Sequence, residues 1–167
     1  QIFQGYTGDW GDFDRGAVQI PELVQRIAKR TGLAAADVQT VVDAVTRELK
    51  PIPESVALLR ELHAAGHELY FLSNMPAPYA DHLQGSNDFM SCFTDGVFSG
   101  RVGHNKPEKA IFELAAKRFG AAHAHDLLFL DDHLPNVQAA QGLGWQALQF
   151  TSAAQARALL HERALVG

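Results

Sequence analysis

Cysteine is nearly missing from this sequence: Cys92 is the single one among 167 residues. A lone thiol excludes an internal disulfide and fits a reducing compartment. Long apolar runs are missing too, and none approaches the roughly 20 residues that a membrane-crossing helix needs. No N-terminal stretch joins positive charge to an apolar run, so no secretory leader is expected. These absences set the expectation of a cytoplasmic protein with no membrane partner. Basic residues are in the minority, 14 against 19 acidic ones, for a net charge of −5. With no basic stripe, nucleic acid is not expected as the main partner. Internal repeats and low-complexity tracts are absent. The chain opens on Gln1 rather than methionine, and the expectation is that this is not the native N-terminus.

What is present suffices for a core. Apolar residues make up 47% of the chain, and its length suits one domain, or a core with a small accessory piece. Residues 1–16 are aromatic-rich and read as irregular. Pro21 to Arg30 has helical apolar spacing, with Pro21 near its start and Gly32 past its end. Asp37 to Leu49 places Val38, Val41, Val42, Val45 and Leu49 on one helical face. Pro51 and Pro53 then break the chain, marking a boundary between residues 1–50 and 51–167. Beyond it, helix Ser55–Ala65, strand Glu68–Leu72, helix Pro76–Leu83, strand Gly96–Ser99 and helix Pro107–Phe119 are expected. Such alternation points to an α/β fold, a Rossmann-like parallel sheet covered on both faces.

The stretch Asp126 to Phe150 organises the second part. Leu127 to Leu130 is a short buried strand ending in two adjacent carboxylates, Asp131 and Asp132. Pro135 opens a helix at a position where a missing N–H costs nothing. Gly142 and Gly144 close that helix, and Trp145 to Phe150 resumes as a strand. In such a strand–helix–strand unit, ligands sit at the carboxyl ends of the strands. Two crowded carboxylates repel unless a cation lies between them, and hard oxygen ligands suit magnesium. Ser73 directly follows the strand Tyr70-Phe71-Leu72. Lys106 precedes a helix start, where a cation and helix N–H groups favour an anion. A hydroxyl, a lysine and a metal site at strand ends are what a phosphoryl group needs.

Phe71-Leu72-Ser73-Asn74, Asn105-Lys106-Pro107-Glu108 and Leu130-Asp131-Asp132-x3-Asn136 resemble motifs two, three and four of the haloacid dehalogenase (HAD) superfamily of hydrolases, in order and spacing. Phe13-Asp14-Arg15-Gly16, with the helical segment to Lys50, resembles the helical (C1-type) cap of its sugar-phosphatase-like branch. The resemblance implies a partial cap over 1–50 and a HAD core over 51–167. It implies that Ser73, helped by the Asn74 backbone, hydrogen-bonds the phosphoryl oxygens, and that Lys106 offsets charge on nucleophile and phosphate. Asp132 would ligate Mg2+ directly, and Asp131 directly or through water. Asn136 would orient the metal's water shell or Lys106. The expected partner is a small phosphorylated metabolite, and the full acidic pair favours a magnesium phosphatase over a metal-independent dehalogenase.

The same family works through an aspartyl-phosphate formed by the first Asp of an Asp-x-Asp motif at the tip of its first strand. The one Asp-x-Asp here, Asp12-Phe13-Asp14, follows Gly5-Tyr6-Thr7-Gly8-Asp9-Trp10-Gly11 rather than a buried strand, so the nucleophile and first strand are expected to be absent from this chain. A parent phosphatase acting on small phosphomonoesters, sugar phosphates among them, is the leading expectation, with the chain as printed inactive. A segment of roughly thirty residues upstream would restore the strand. The alternatives are a 2-haloacid dehalogenase and a non-catalytic truncated interaction module. A gap in the sheet would be filled by another segment or close by rearrangement, and strand exchange is the expected route to a homo-oligomer. His123 and His125 match no standard zinc spacing and read as surface residues. Tyr6, Trp10 and Phe13 read equally as pocket lining or core, and Asp81, Asp88 and Asp95 receive no role.

Overall fold

Strand β3 (Leu128–Asp131) alternates its side chains between two apolar layers, which is why a four-residue strand is stable here. Phe129 meets the edges of Phe112 and Trp145, with centroids 5.7 and 5.9 Å away. Leu128 and Leu130, on the opposite face, pack against the cluster of Leu58, Ala156, Leu160 and Val166. Asp131 follows Phe129 by two positions and so shares its face. Parallel to β3 runs β4 (Gln146–Gln149), with Leu128 opposite Gln146 and Asp131 opposite Gln149. Helix α8 (Leu134–Gly142) connects them. Pro135 sits in its first turn, and Gly144, at φ 84°, supplies the left-handed turn into β4.

In this computed structural model, residues 2–3 and 7–166 are described. The remaining elements follow the expected order, with two short helices added, Asp9–Asp14 and Ser99–Val102. They are α1 (Asp9–Asp14), α2 (Ile20–Thr31), α3 (Ala35–Glu48), α4 (Pro53–Ala64), β1 (Tyr70–Ser73), α5 (Ala77–Ser86), β2 (Asp95–Phe98), α6 (Ser99–Val102), α7 (Lys109–Arg118) and α9 (Ala153–His161). Two 3-10 turns, Asp88–Cys92 and Ala124–Asp126, complete the set. β1 pairs with β2 and β3 with β4, as two separate two-stranded sheets. The α/β class is as expected, and no described strand joins the two pairs into one sheet.

Helix α1 corrects the expectation that the first 16 residues are irregular. Gly8 and Gly11 hide it from local propensity. It is held instead from outside: Asp9 and Asp12 pair with Arg30 and Arg26 of α2 at 2.8 and 3.1 Å. Phe13, 1% exposed, anchors its inner face.

The chain folds as two compact units. One comprises Gln1–Lys50, Leu72–Ser86 and Val97–Lys106, and the other Pro51–Phe71, Asn87–Gly96 and Pro107–Gly167. In the first unit, Phe13, Leu23, Ile27, Val38, Val42 and Tyr79 are among the residues that form the core. Burying each such aliphatic side chain is worth roughly 1.5–3 kcal/mol. The second unit is built on the two layers around β3. Among the described residues, no helix is long and apolar enough to cross a membrane.

Candidate active site

Ser73 closes β1 and is half-buried. Among the described residues its hydroxyl makes no hydrogen bond, so its lone pairs and proton are available to a ligand. The side chain of Asn74 clamps the main chain of Lys106 from both sides. Its Nδ2 donates to the Lys106 carbonyl at 2.9 Å, and its Oδ1 accepts from the Lys106 N–H at 2.7 Å. Lys106 itself is 8% exposed. The first unit thus brings together Asn74 of the second motif and Lys106 of the third through the Asn74 side chain, for which only a backbone role was expected.

Two further buried side chains have no role assigned from the sequence, although Asn105 stands in the third motif. Ser99 is 0% exposed, accepts from the Met75 N–H at 2.8 Å, and donates to the Asp14 carbonyl at 2.5 Å. Asn105, at 1%, donates to the Gly11 carbonyl at 2.8 Å, while its Oδ1 has no hydrogen-bond partner among the described residues. The available signal for Ser99 was polarity in an otherwise apolar segment, and for Asn105 its place beside Lys106 in the third motif; neither names a partner.

The second unit holds the fourth motif. Asp131 is 7% exposed, and its Oδ1 accepts from the His133 N–H at 2.8 Å and from Asn136 Nδ2 at 2.9 Å. Asn136, 2% exposed, therefore orients the Asp131 carboxylate directly. Asp132 is exposed, and its carbonyl accepts from Gln149 Nε2 at 3.0 Å. One carboxylate is fixed and the next is presented. Among the described residues, no three His, Cys, Asp or Glu side chains cluster as a complete metal cage. Magnesium does not require one, because it keeps several waters and binds through one or two carboxylates plus phosphate oxygens. An oxygen-only pair with one rigid member fits that ion.

Asp12-Phe13-Asp14 lies on α1 and not at a strand tip. Asp12 is engaged with Arg26, and Phe13 packs edge-on against both half-buried Trp10 and Tyr79. Tyr6 lies outside the described residues. Burial pushes the Asp14 carboxyl up to about 7, against the opposing pull of Arg15. Burial also raises Tyr79 to about 12, aided by the negative charges of Asp43 and Asp14. Asp81, Asp88 and Asp95 each pair with an arginine, respectively Arg101, Arg60 and Arg118. His123 and His125 are exposed and stack with ring centroids 5.3 Å apart.

The motif residues on this α/β frame define a class, and comparison with known proteins agrees. A model of the haloacid dehalogenase-like hydrolase family matches residues 10–144. The chain belongs to that family. It is 30% identical over 143 residues to the sesquiterpene phosphatase astK of Aspergillus oryzae, covering 85% of this chain and 72% of that one. It is 32% identical over 145 residues to the drimenol cyclase drtB of Aspergillus calidoustus, covering 84% of this chain but only 27% of that protein. Among solved structures, a HAD-like family hydrolase from Porphyromonas gingivalis superposes with a TM-score of 0.70 at 22% identity, over 93% of this chain and 80% of that one. A HAD family enzyme from Bacteroides thetaiotaomicron, in complex with magnesium and inorganic phosphate, gives 0.69 at 22%, over 89% and 76%. A dehalogenase gives 0.69 at 16%, over 83% and 70%.

Proposed function

We propose that the protein is a magnesium-dependent phosphatase of small phosphomonoesters. The observation that carries this reading is the Asp131–Asp132 pair at the end of β3, with Asp131 locked by Asn136 and the His133 N–H. In this reading Asp132 ligates the ion, and Asp131 does so directly or through water. Held by these two carboxylates, magnesium would supply neutralisation of the phosphoryl charge. The Ser73 hydroxyl and Asn74 N–H take phosphoryl oxygens, while the Lys106 ammonium balances their charge. Residues 1–50 serve as the helical cap and 51–167 as the core.

The name of the 30% identical relative supports an apolar leaving group, so a terpenyl phosphate belongs beside sugar phosphates as a test substrate. Phe3, 49% exposed, and half-buried Trp10 are aromatic surface in the cap segment suited to such a group. In this reading Asp12 and Asp14, which lie on α1 rather than at a strand tip, do not serve as the aspartyl nucleophile. The 167-residue chain alone is therefore expected to bind magnesium without turnover.

The test is phosphate release by the full-length gene product, with and without Mg2+, for wild type and Asp132→Asn. Activity that needs the ion and falls at least about 100-fold in the variant supports the reading. Unchanged activity in the variant sinks it, and chloride release from a 2-haloacid without magnesium would point to a dehalogenase instead.

A further inference from the structure

We infer that Ser99 is a positioning residue for phosphate binding, tying the loop after Ser73 to helix α1. This rests on the reading of Ser73 and Lys106 as the phosphate-binding pair.

The argument begins at Met75, two residues past Ser73. Its N–H donates to Ser99 Oγ at 2.8 Å, and its carbonyl accepts from the Gly100 N–H at 3.1 Å. Both main-chain groups of Met75 are thereby held by one dipeptide. The Ser99 hydroxyl then donates its own proton to the Asp14 carbonyl of α1, at 2.5 Å. A hydroxyl donates one proton and accepts through its lone pairs, so this one side chain joins three segments of chain. No water competes, because Ser99 is fully buried.

Packing at the junction leaves no slack. A Cβ on Gly100 would lie 2.7 Å from the Ala77 nitrogen and 2.8 Å from the Met75 oxygen, and one on Gly16 would lie 2.6 Å from the Gly100 oxygen. A second tie runs in parallel: Asn105 donates to the Gly11 carbonyl of the same helix, and the adjacent Lys106 main chain is gripped by Asn74. Lys106 adjoins Asn105, whose side-chain bond ends on α1, and Ser73 lies two residues before Met75, whose N–H is held by the same Ser99 hydroxyl that bonds α1. The position of α1, itself set by Phe13 in the core, is thus passed to both phosphate-binding groups.

The experiment uses the full-length gene product with Ser99→Ala and Ser99→Cys. Affinities for inorganic phosphate and for Mg2+ are measured by calorimetry, with thermal melts as the fold control. Losing a buried, fully used hydroxyl should weaken phosphate binding about tenfold. Mg2+ affinity should stay within about twofold, since Asp131 and Asp132 are held by their own loop. Faster hydrogen exchange at the Met75 amide should accompany the loss. A role in general stability alone would lower the melting temperature and leave phosphate affinity unchanged, which would overturn the inference. If Ser99→Ala does not fold, Ser99→Cys, which fills the site with a somewhat larger and more weakly hydrogen-bonding group, decides by the same comparison. If wild type binds no phosphate, the functional reading fails and the inference with it. If wild type binds phosphate and both folded variants bind it equally well, the inference alone fails.

Discussion

Asp14 carries an ionisable group where the fold disfavours charge. Unfolded, its carboxyl ionises near 3.8, and in the folded protein burial holds the proton until about 7. Between those values the folded state binds more protons than the unfolded one, so this group's contribution to stability is lost as pH rises through that window. Asp14→Asn abolishes the titration. Relative to wild type, the variant should gain on the order of 1–4 kcal/mol between about pH 4 and about pH 8, as read by urea melts at both values. An equal difference at both would mean that the carboxyl is hydrated in solution. Asn74 makes a second prediction at this scale. Asn74→Ala leaves the N–H and carbonyl of buried Lys106 without their partner, which should cost about 1–3 kcal/mol. A loss below about 0.5 kcal/mol in the same melts would show that this clamp is not formed.

Helix ends and junctions set the element scale, and two glycines separate backbone strain from collision. Gly32 caps α2 at φ 75° with nothing near its missing Cβ. Gly16 has nearly the same φ, 77°, yet its Cβ would meet the Gly100 oxygen at 2.6 Å. Gly32→Ala should cost about 1 kcal/mol, the left-handed penalty alone. Gly16→Ala should cost clearly more, about 2–4 kcal/mol, because α1 must move or the junction must open. Equal melting shifts for the two variants would contradict the close approach of α1 to the α6 segment. Helix α1 also shows what was illegible at this scale. Its six residues include a glycine, and only the arginines of α2 and the burial of Phe13 make it a helix. The longer helices were readable in advance. Pro21 opens α2, which buries Leu23, Val24 and Ile27 at helical spacing, whereas Pro53, expected as a breaker ahead of a helix from Ser55, is itself the first residue of α4.

Each compact unit has apolar packing of its own. Phe13 is a hub of one, with Trp10 and Tyr79 at 5.6 and 5.5 Å, and Phe112 of the other, with Phe129 and Trp145. Truncation to alanine at either should cost about 3–5 kcal/mol. Where the loss appears is the sharper test. By hydrogen exchange, Phe13→Ala should lower protection mainly in 7–50, 72–86 and 97–106, and Phe112→Ala mainly in 51–71, 87–96 and 107–166. Uniform loss in both variants would show one cooperative core instead. By itself, the sequence determined what is local: the apolar period of the helices, the turn residues that end them, and the adjacent carboxylates closing a short apolar strand. The motif residues could be named for the same reason, since each motif occupies consecutive positions. Only the tertiary structure decided how those motifs are held. The bonds from Ser99 to Asp14 and from Asn105 to Gly11 span 85 and 94 residues, and the Asn74–Lys106 clamp spans 32. No local propensity encodes such pairings, because they exist only once burial has brought distant segments together and left their polar groups no water to bond with.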